Sequence, residues 1–107
     1  MNNNTILNAI KELLVFYVKE NYNNYLKTNN IRKIPDDNIN NVVSSIYTKN
    51  KPHIKSFIKS SLKEMYKQDY PGDLIINNIL SDILSDDISC INKLNKEIKK
   101  YQDNLYG

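Results

Sequence analysis

Residues Lys51–Lys67, KPHIKSFIKSSLKEMYK, decide how the rest of this chain is read, because two patterns share the one stretch. Lys51, Lys55, Lys59, Lys63 and Lys67 recur every fourth residue, which on an α-helix is a rise of roughly 6 Å and a drift of about 40° per step. The lysines therefore form a slowly winding ridge. Beside it, Ile54, Phe57, Ile58, Leu62 and Met65 recur at helical spacing and make a core-facing stripe. An amphipathic helix over about 52–68 follows, with Pro52 in its first turn.

Upstream, Ile39, Val42, Val43, Ile46 and Tyr47 make the apolar face of another helix, over about 37–49. Pro35 disfavours helix at the residue before it, Asp36 or Asp37 supplies a cap, and Ile34 sits where a hydrophobic staple would. The stretch KNKP, residues 49–52, is expected to break this helix from the next. The first helix, over about 5–27, starts after a cap at Asn4 or Thr5 and carries Ile6, Leu7, Ile10, Leu13, Leu14, Tyr17 and Val18 on one face. Its asparagine-rich second half is expected to fray or bend before Asn30. Asn29 and Asn30 suit the left-handed positions at a helix end.

Downstream, Asp69-Tyr70-Pro71-Gly72-Asp73 reads as a turn, with Asp73 capping a fourth helix over about 73–84. Leu74, Ile75, Ile76, Ile79, Leu80, Ile83 and Leu84 cover half its circumference or more. That places it at the centre of the core, with the first and fifth helices around it. Ser85-Asp86-Asp87 restarts or kinks the chain, with Asp86 and Asp87 as cap and first-turn acids. The last helix, over about 86–103, carries Ile91, Leu94, Ile98, Tyr101 and Leu105 at alternating spacings of three and four, a narrow seam of coiled-coil type.

The expected fold is therefore all-α, a single domain built as a small bundle of four or five helices with short loops. Composition agrees. A hydrophobic fraction of 40% and a charged fraction of 25% are those of a globular protein, and two glycines and three prolines are too few for a β-rich fold of 107 residues. No apolar run reaches the eighteen or so residues of a membrane span, and the amino-terminal residues lack a signal-peptide layout, so the expectation is a soluble intracellular protein without a membrane partner. Fourteen lysines against one arginine, with abundant asparagine, isoleucine and tyrosine, match the codon habit of an AT-rich genome such as that of some large DNA viruses, protozoan parasites or low-GC bacteria.

Single copies of cysteine (Cys90) and histidine (His53) leave no material for a disulfide, a Cys/His metal cluster or histidine-based catalysis within one chain. Asp82, Asp86 and Asp87 lack the spacing of a calcium loop, and neither glycine lies in a phosphate-binding or dinucleotide pattern. No metal, cofactor, catalytic residue or small-molecule substrate is inferred. The expectation is a binding module, not an enzyme.

Two surfaces carry candidate partners. The lysine ladder Lys51, Lys55, Lys59, Lys63 and Lys67 matches the repeat of a nucleic-acid backbone, each lysine meeting a phosphate as a point charge; Ser56, Ser60, Ser61, Tyr66 and Tyr70 offer neutral phosphate contacts. The bland alternative is a solvated helix face. The seam Ile91, Leu94, Ile98 and Tyr101 suits another protein or a second copy of the chain, against the alternative that it closes an intramolecular bundle. Charge is segregated: from Lys49 to Lys67 there are six lysines and one acid, and from Asp69 to Ile91 five aspartates and no base.

SFIKSSLKEMY at Ser56–Tyr66, preceded by VSSIY at Val43–Tyr47, resembles the last two helices of the DEK carboxy-terminal domain, a small helical module associated with DNA binding and self-association. The resemblance implies a helical DNA-binding or chromatin-associated module using Lys55, Lys59 and Lys63. A host-directed inhibitor from a virus or phage also fits the size and composition.

Overall fold

The described residues form four α-helices: α1 Asn3–Thr28, α2 Asp36–Tyr66, α3 Asp73–Ser85 and α4 Asp87–Tyr106, with a 3-10 turn at Lys67–Asp69. The computed structural model describes residues 3–106, and no strand occurs among them. The all-α bundle expected from the sequence is the fold.

The KNKP stretch does not break the chain as expected. α2 runs for 31 residues straight through Pro52, enough to span the 42 Å length of the molecule. Two conditions make this possible. Pro52 and Thr48, whose carbonyl loses its helical donor, both lie on the exposed side, where water can satisfy the freed oxygen. On the opposite side Ile39, Val43, Tyr47, Ile54, Ile58 and Leu62 keep one helical register across the proline, all buried. Burying each such side chain contributes about 1.5–3 kcal/mol, so a break that turned half the stripe away would cost more than one missing hydrogen bond.

The centre of the core is α2, not α3. Every other helix packs on it. α1 is antiparallel to α2, with Tyr17 opposite Asn50 and Phe57. α3 runs antiparallel along the carboxy-terminal half of α2, from Asp73 beside Lys63 to the Leu84 carbonyl beside Tyr47. α4 continues in that direction along the other half, from Asp87 beside Lys51, through Asn95 beside Asn40, to Lys99 beside Asp36. α3 and α4 thus act as one interrupted third helix, and α4 lies parallel to α1. Only Ile76, Leu80 and Leu84 of α3 are fully buried, whereas Leu74 is 76% exposed and Ile75 48%. A short helix flanked on one side by α2 can bury only one stripe, however many apolar residues it carries.

Local chemistry sets the junctions. Asn30 takes the left-handed conformation (φ 55°), and hydrogen bonds from Ile31 N to Leu26 O and from Asn30 N to Lys27 O close α1 in a Schellman motif. The second half of α1 does not fray, because Tyr22 and Leu26 are buried. Asn4 and Thr5 lie inside α1 and do not cap it. Pro35, not an aspartate, is the residue before α2, while Ile34 and Ile39 are both buried at the staple positions. Gly72 (φ 108°) precedes α3, so Asp73 stands in the first turn instead of capping. Asp86 interrupts the third layer as expected, its Oδ1 accepting from Ser89 N at 3.1 Å to cap α4.

Among the described residues, one polar side chain other than tyrosine is wholly buried. The Gln102 amide of α4 meets the backbone of Ile34 in both senses: Oε1 accepts from Ile34 N at 3.0 Å and Nε2 donates to Ile34 O at 2.9 Å. The Tyr22 hydroxyl donates to the same Oε1. Gln102 therefore behaves as a strand-like partner for the α1–α2 loop, satisfying backbone groups that no helix reaches.

Gln102→Ala should destabilise the fold by about 3 kcal/mol or more, since it leaves the Ile34 N–H and C=O and the Tyr22 hydroxyl buried with their amide partner gone. Pro52→Ala should do the opposite, raising stability by about 2 kcal/mol through the restored donor to Thr48. Urea denaturation followed by circular dichroism measures both; a destabilised Pro52→Ala variant would contradict a continuous α2.

Candidate nucleic-acid interface

The lysine ladder does not form a continuous exposed patch. The four-residue spacing outruns the 3.6-residue turn, so the ridge winds from the edge of the core outward. Lys51 is half-buried, with its side chain 32% exposed, and Lys63 is exposed. α3 and the start of α4 lie along this ridge, and their acids meet it. Lys51 Nζ bonds to Asp87 Oδ1 at 2.8 Å and sits 5.7 Å from the Tyr47 ring centre. Lys63 Nζ pairs with Asp73 Oδ1 at 3.2 Å and lies 5.7 Å from the Tyr70 ring centre. Both ends of the α3 span are thereby fastened to α2.

Lys55 and Lys59, between these pairs, are half-buried, and neither has an acid within ion-pair distance among the described residues. Lys67 ends α2 and is exposed, its backbone at φ 50° and its N–H donating to Lys63 O. Of the neutral candidates, Ser56 and Ser60 are exposed, Ser61 and Tyr66 are half-buried, and the Tyr70 hydroxyl is committed to Asp73 Oδ1 at 2.7 Å. The stretches VSSIY and SFIKSSLKEMY lie on a single helix, α2.

Titration reflects the same pairing. Hydrogen bonds from Tyr70 and then Lys63 hold the Asp73 carboxyl below its ordinary value, and the bond from Lys51 does so for Asp87. Burial, followed by the Asp73 carboxylate, pushes the Tyr70 hydroxyl up to about 12. Burial likewise raises Tyr47 and the Cys90 thiol. The Tyr47 hydroxyl donates to Leu84 O at 3.3 Å and Cys90 Sγ to Ile83 O at 3.0 Å, joining the end of α3 to its neighbours. Cys90 is a small core residue held as a neutral thiol, and His53 is exposed.

The carboxy-terminal seam is used inside the molecule. Leu94 and Ile98 are buried and Ile91 is half-buried. Tyr101 packs edge-on against Tyr22 with ring centres 6.4 Å apart, and its hydroxyl meets the Asn23 amide at 2.9 Å. The seam's flank is covered by α1 and α2, so its central residues are not free for a second copy; Leu105, at the end of the pattern, stays exposed because Gln102 takes the inward position.

A second basic surface, unmarked by any regular spacing in the sequence, lies where α1 and α4 run parallel. Lys11 and Lys19 of α1 and Lys93 of α4 line an open groove of about 580 Å³, together with Glu12, Glu97 and Phe16. Lys96 and Lys100 continue the row on the outer face of α4, one and two turns beyond Lys93. None of these five lysines has an acid within ion-pair distance among the described residues. Lys19 Nζ lies 5.1 Å from the Tyr101 ring centre. Two helices distant in sequence supply this surface, so no single stretch announces it.

The charge distribution follows. Residues 49–91 hold six lysines and six acids and are neutral as a block; α1 with its loop carries +3 and the rest of α4 +2, offset by Asp36 and Asp37 at the start of α2. No group of three or more histidine, cysteine, aspartate or glutamate side chains that could hold a metal ion occurs among the described residues, nor any helix long and apolar enough to cross a membrane. Comparison of the chain with protein-family models, with curated proteins and with solved structures finds no match.

Because the carboxyls of Asp73 and Asp87 are depressed, their contribution to stability is present above the unfolded carboxylate value near pH ~4 and is lost as pH falls through the lower folded values. Asp73→Asn with Asp87→Asn should therefore flatten the fall in stability as pH drops below about 4, read by urea denaturation across the acid limb. An unchanged acid limb would show that neither pair acts in solution.

Proposed function

We propose that this chain is a non-catalytic helical binding module that contacts a nucleic-acid phosphate backbone. The observation that carries the reading is the row of acid-free lysines on the α1–α4 flank, Lys11, Lys19, Lys93, Lys96 and Lys100, on the part of the molecule that holds all the net positive charge. Ammonium groups without an ion-pair partner keep their counterions in the free state and release them to a polyanion. The ladder contributes less, because Lys51 and Lys63 already neutralise aspartates. Lysine offers a point charge and little of the planar, bidentate geometry that reads bases, so binding is indifferent to sequence and sensitive to salt.

A protein partner is the second reading. With the seam taken up in the core, the most exposed large apolar side chains among the described residues are Leu74 at the start of α3 and Ile88 at the start of α4, each 76% exposed. Light scattering that gives a mass above one chain, restored to monomer by Leu74→Ser with Ile88→Ser, would support it.

Fluorescence anisotropy with labelled oligonucleotides at two salt concentrations tests the first reading. Lys93→Glu, Lys96→Glu and Lys100→Glu together should abolish binding without changing the helical spectrum, while reversing Lys55 and Lys59 should weaken it only modestly. Loss through the ladder variant alone would return the contact to α2. No binding of the unmodified chain at low salt would sink the reading.

A further inference from the structure

We infer that the nucleic acid is single-stranded and that one of its bases stacks on Phe16 at the α1–α4 groove. The inference rests on the phosphate-binding reading above and adds to it the strand state of the partner. Phe16 is 52% exposed on a helix that buries Ile10, Leu14 and Val18. It is not loose. Its ring lies nearly parallel to that of Phe57, 9° between planes and 6.1 Å between centres, so α2 braces one face while the exposed remainder borders the groove. Phe16 stands one turn from Glu12 and from Lys19 on α1, and Lys11, Lys19 and Lys93 line the same groove.

A braced aromatic face beside lysines that meet no acid is the pair of features that binds single strands without sequence preference, the ring taking a base and the lysines the backbone. A duplex keeps its bases stacked inside and can use only the lysines. Lys11 and Lys19 are two turns apart, about 12 Å along α1, and so would contact the strand on both sides of the stacked base. Glu12 and Glu97 oppose a polyanion and set the groove's affinity low.

The test uses the full chain with a labelled oligothymidylate and a hairpin duplex of equal charge, by anisotropy across a salt series. The single strand should bind more tightly, with log K falling by about 0.7 per phosphate neutralised for each unit of log salt. Phe16→Leu, which keeps apolar volume but removes the ring, should weaken the single strand about tenfold while leaving duplex binding and the salt slope unchanged. Phe16→Tyr should retain the preference, and Glu12→Gln with Glu97→Gln should tighten both probes. Circular dichroism melts on the Phe16 variants separate folding from binding. Equal affinity for the two probes, or a Phe16→Leu variant that keeps the preference, overturns the inference while the phosphate reading stands. If neither probe binds, both fall together.

Discussion

An unbroken apolar stripe along α2 is the constraint on which the rest of the molecule depends. Ile39, Val43, Tyr47, Ile54, Ile58 and Leu62 keep one register over the whole length of the bundle, and each of the other helices is placed by what it buries against them. Pro52 would ordinarily cost a helix interior about 3 kcal/mol. It is tolerated because it faces water, and because the two halves of the stripe would have to be buried separately if the helix bent. The resulting geometry is long and narrow, with one central helix, one antiparallel neighbour, and a third layer made of two short helices laid end to end.

Polar interactions fasten that third layer at chosen points. Gln102 holds the carboxy-terminal end of α4 to the α1–α2 loop from inside the core, where each unpaired group would cost about 1–3 kcal/mol. At the surface Lys51–Asp87 and Lys63–Asp73 mark the two ends of α3. Exposed ion pairs add little stability, but they do fix which side of α2 the acidic helix occupies. The segregation of lysines and aspartates along the chain is thus the registration pattern of two elements that meet in the fold.

That pairing also redistributes what the surface can offer a partner. Two lysines of the most regular run in the sequence, Lys51 and Lys63, meet acids across a helix interface, whereas Lys11, Lys19, Lys93, Lys96 and Lys100 of α1 and α4 meet none. Phosphate binding draws on charge that remains uncompensated after folding. Phe16 adds a flat apolar surface at the edge of that field, braced from behind by Phe57.

Periodicity alone determined the fold class, the extents of α1 and α4 within a few residues, the left-handed end of α1 at Asn30 and the interruption at Asp86, because these depend on helical spacing and local backbone chemistry. The continuity of α2 left a trace, since Tyr47 and Ile54 are seven residues apart and share a face across Pro52, yet a proline's local effect opposes helix and only the packing on both sides overrides it. Which helix lies at the centre was not legible: α3 has the densest apolar composition, but length and the number of neighbours, not composition, decide burial. Gln102 reads as an ordinary polar residue until Ile34 and Tyr22 are brought to it from 68 and 80 residues away. The basic flank and the fate of the ladder were decided only by tertiary structure, because whether a lysine is paired or free depends on which acid the fold places across from it.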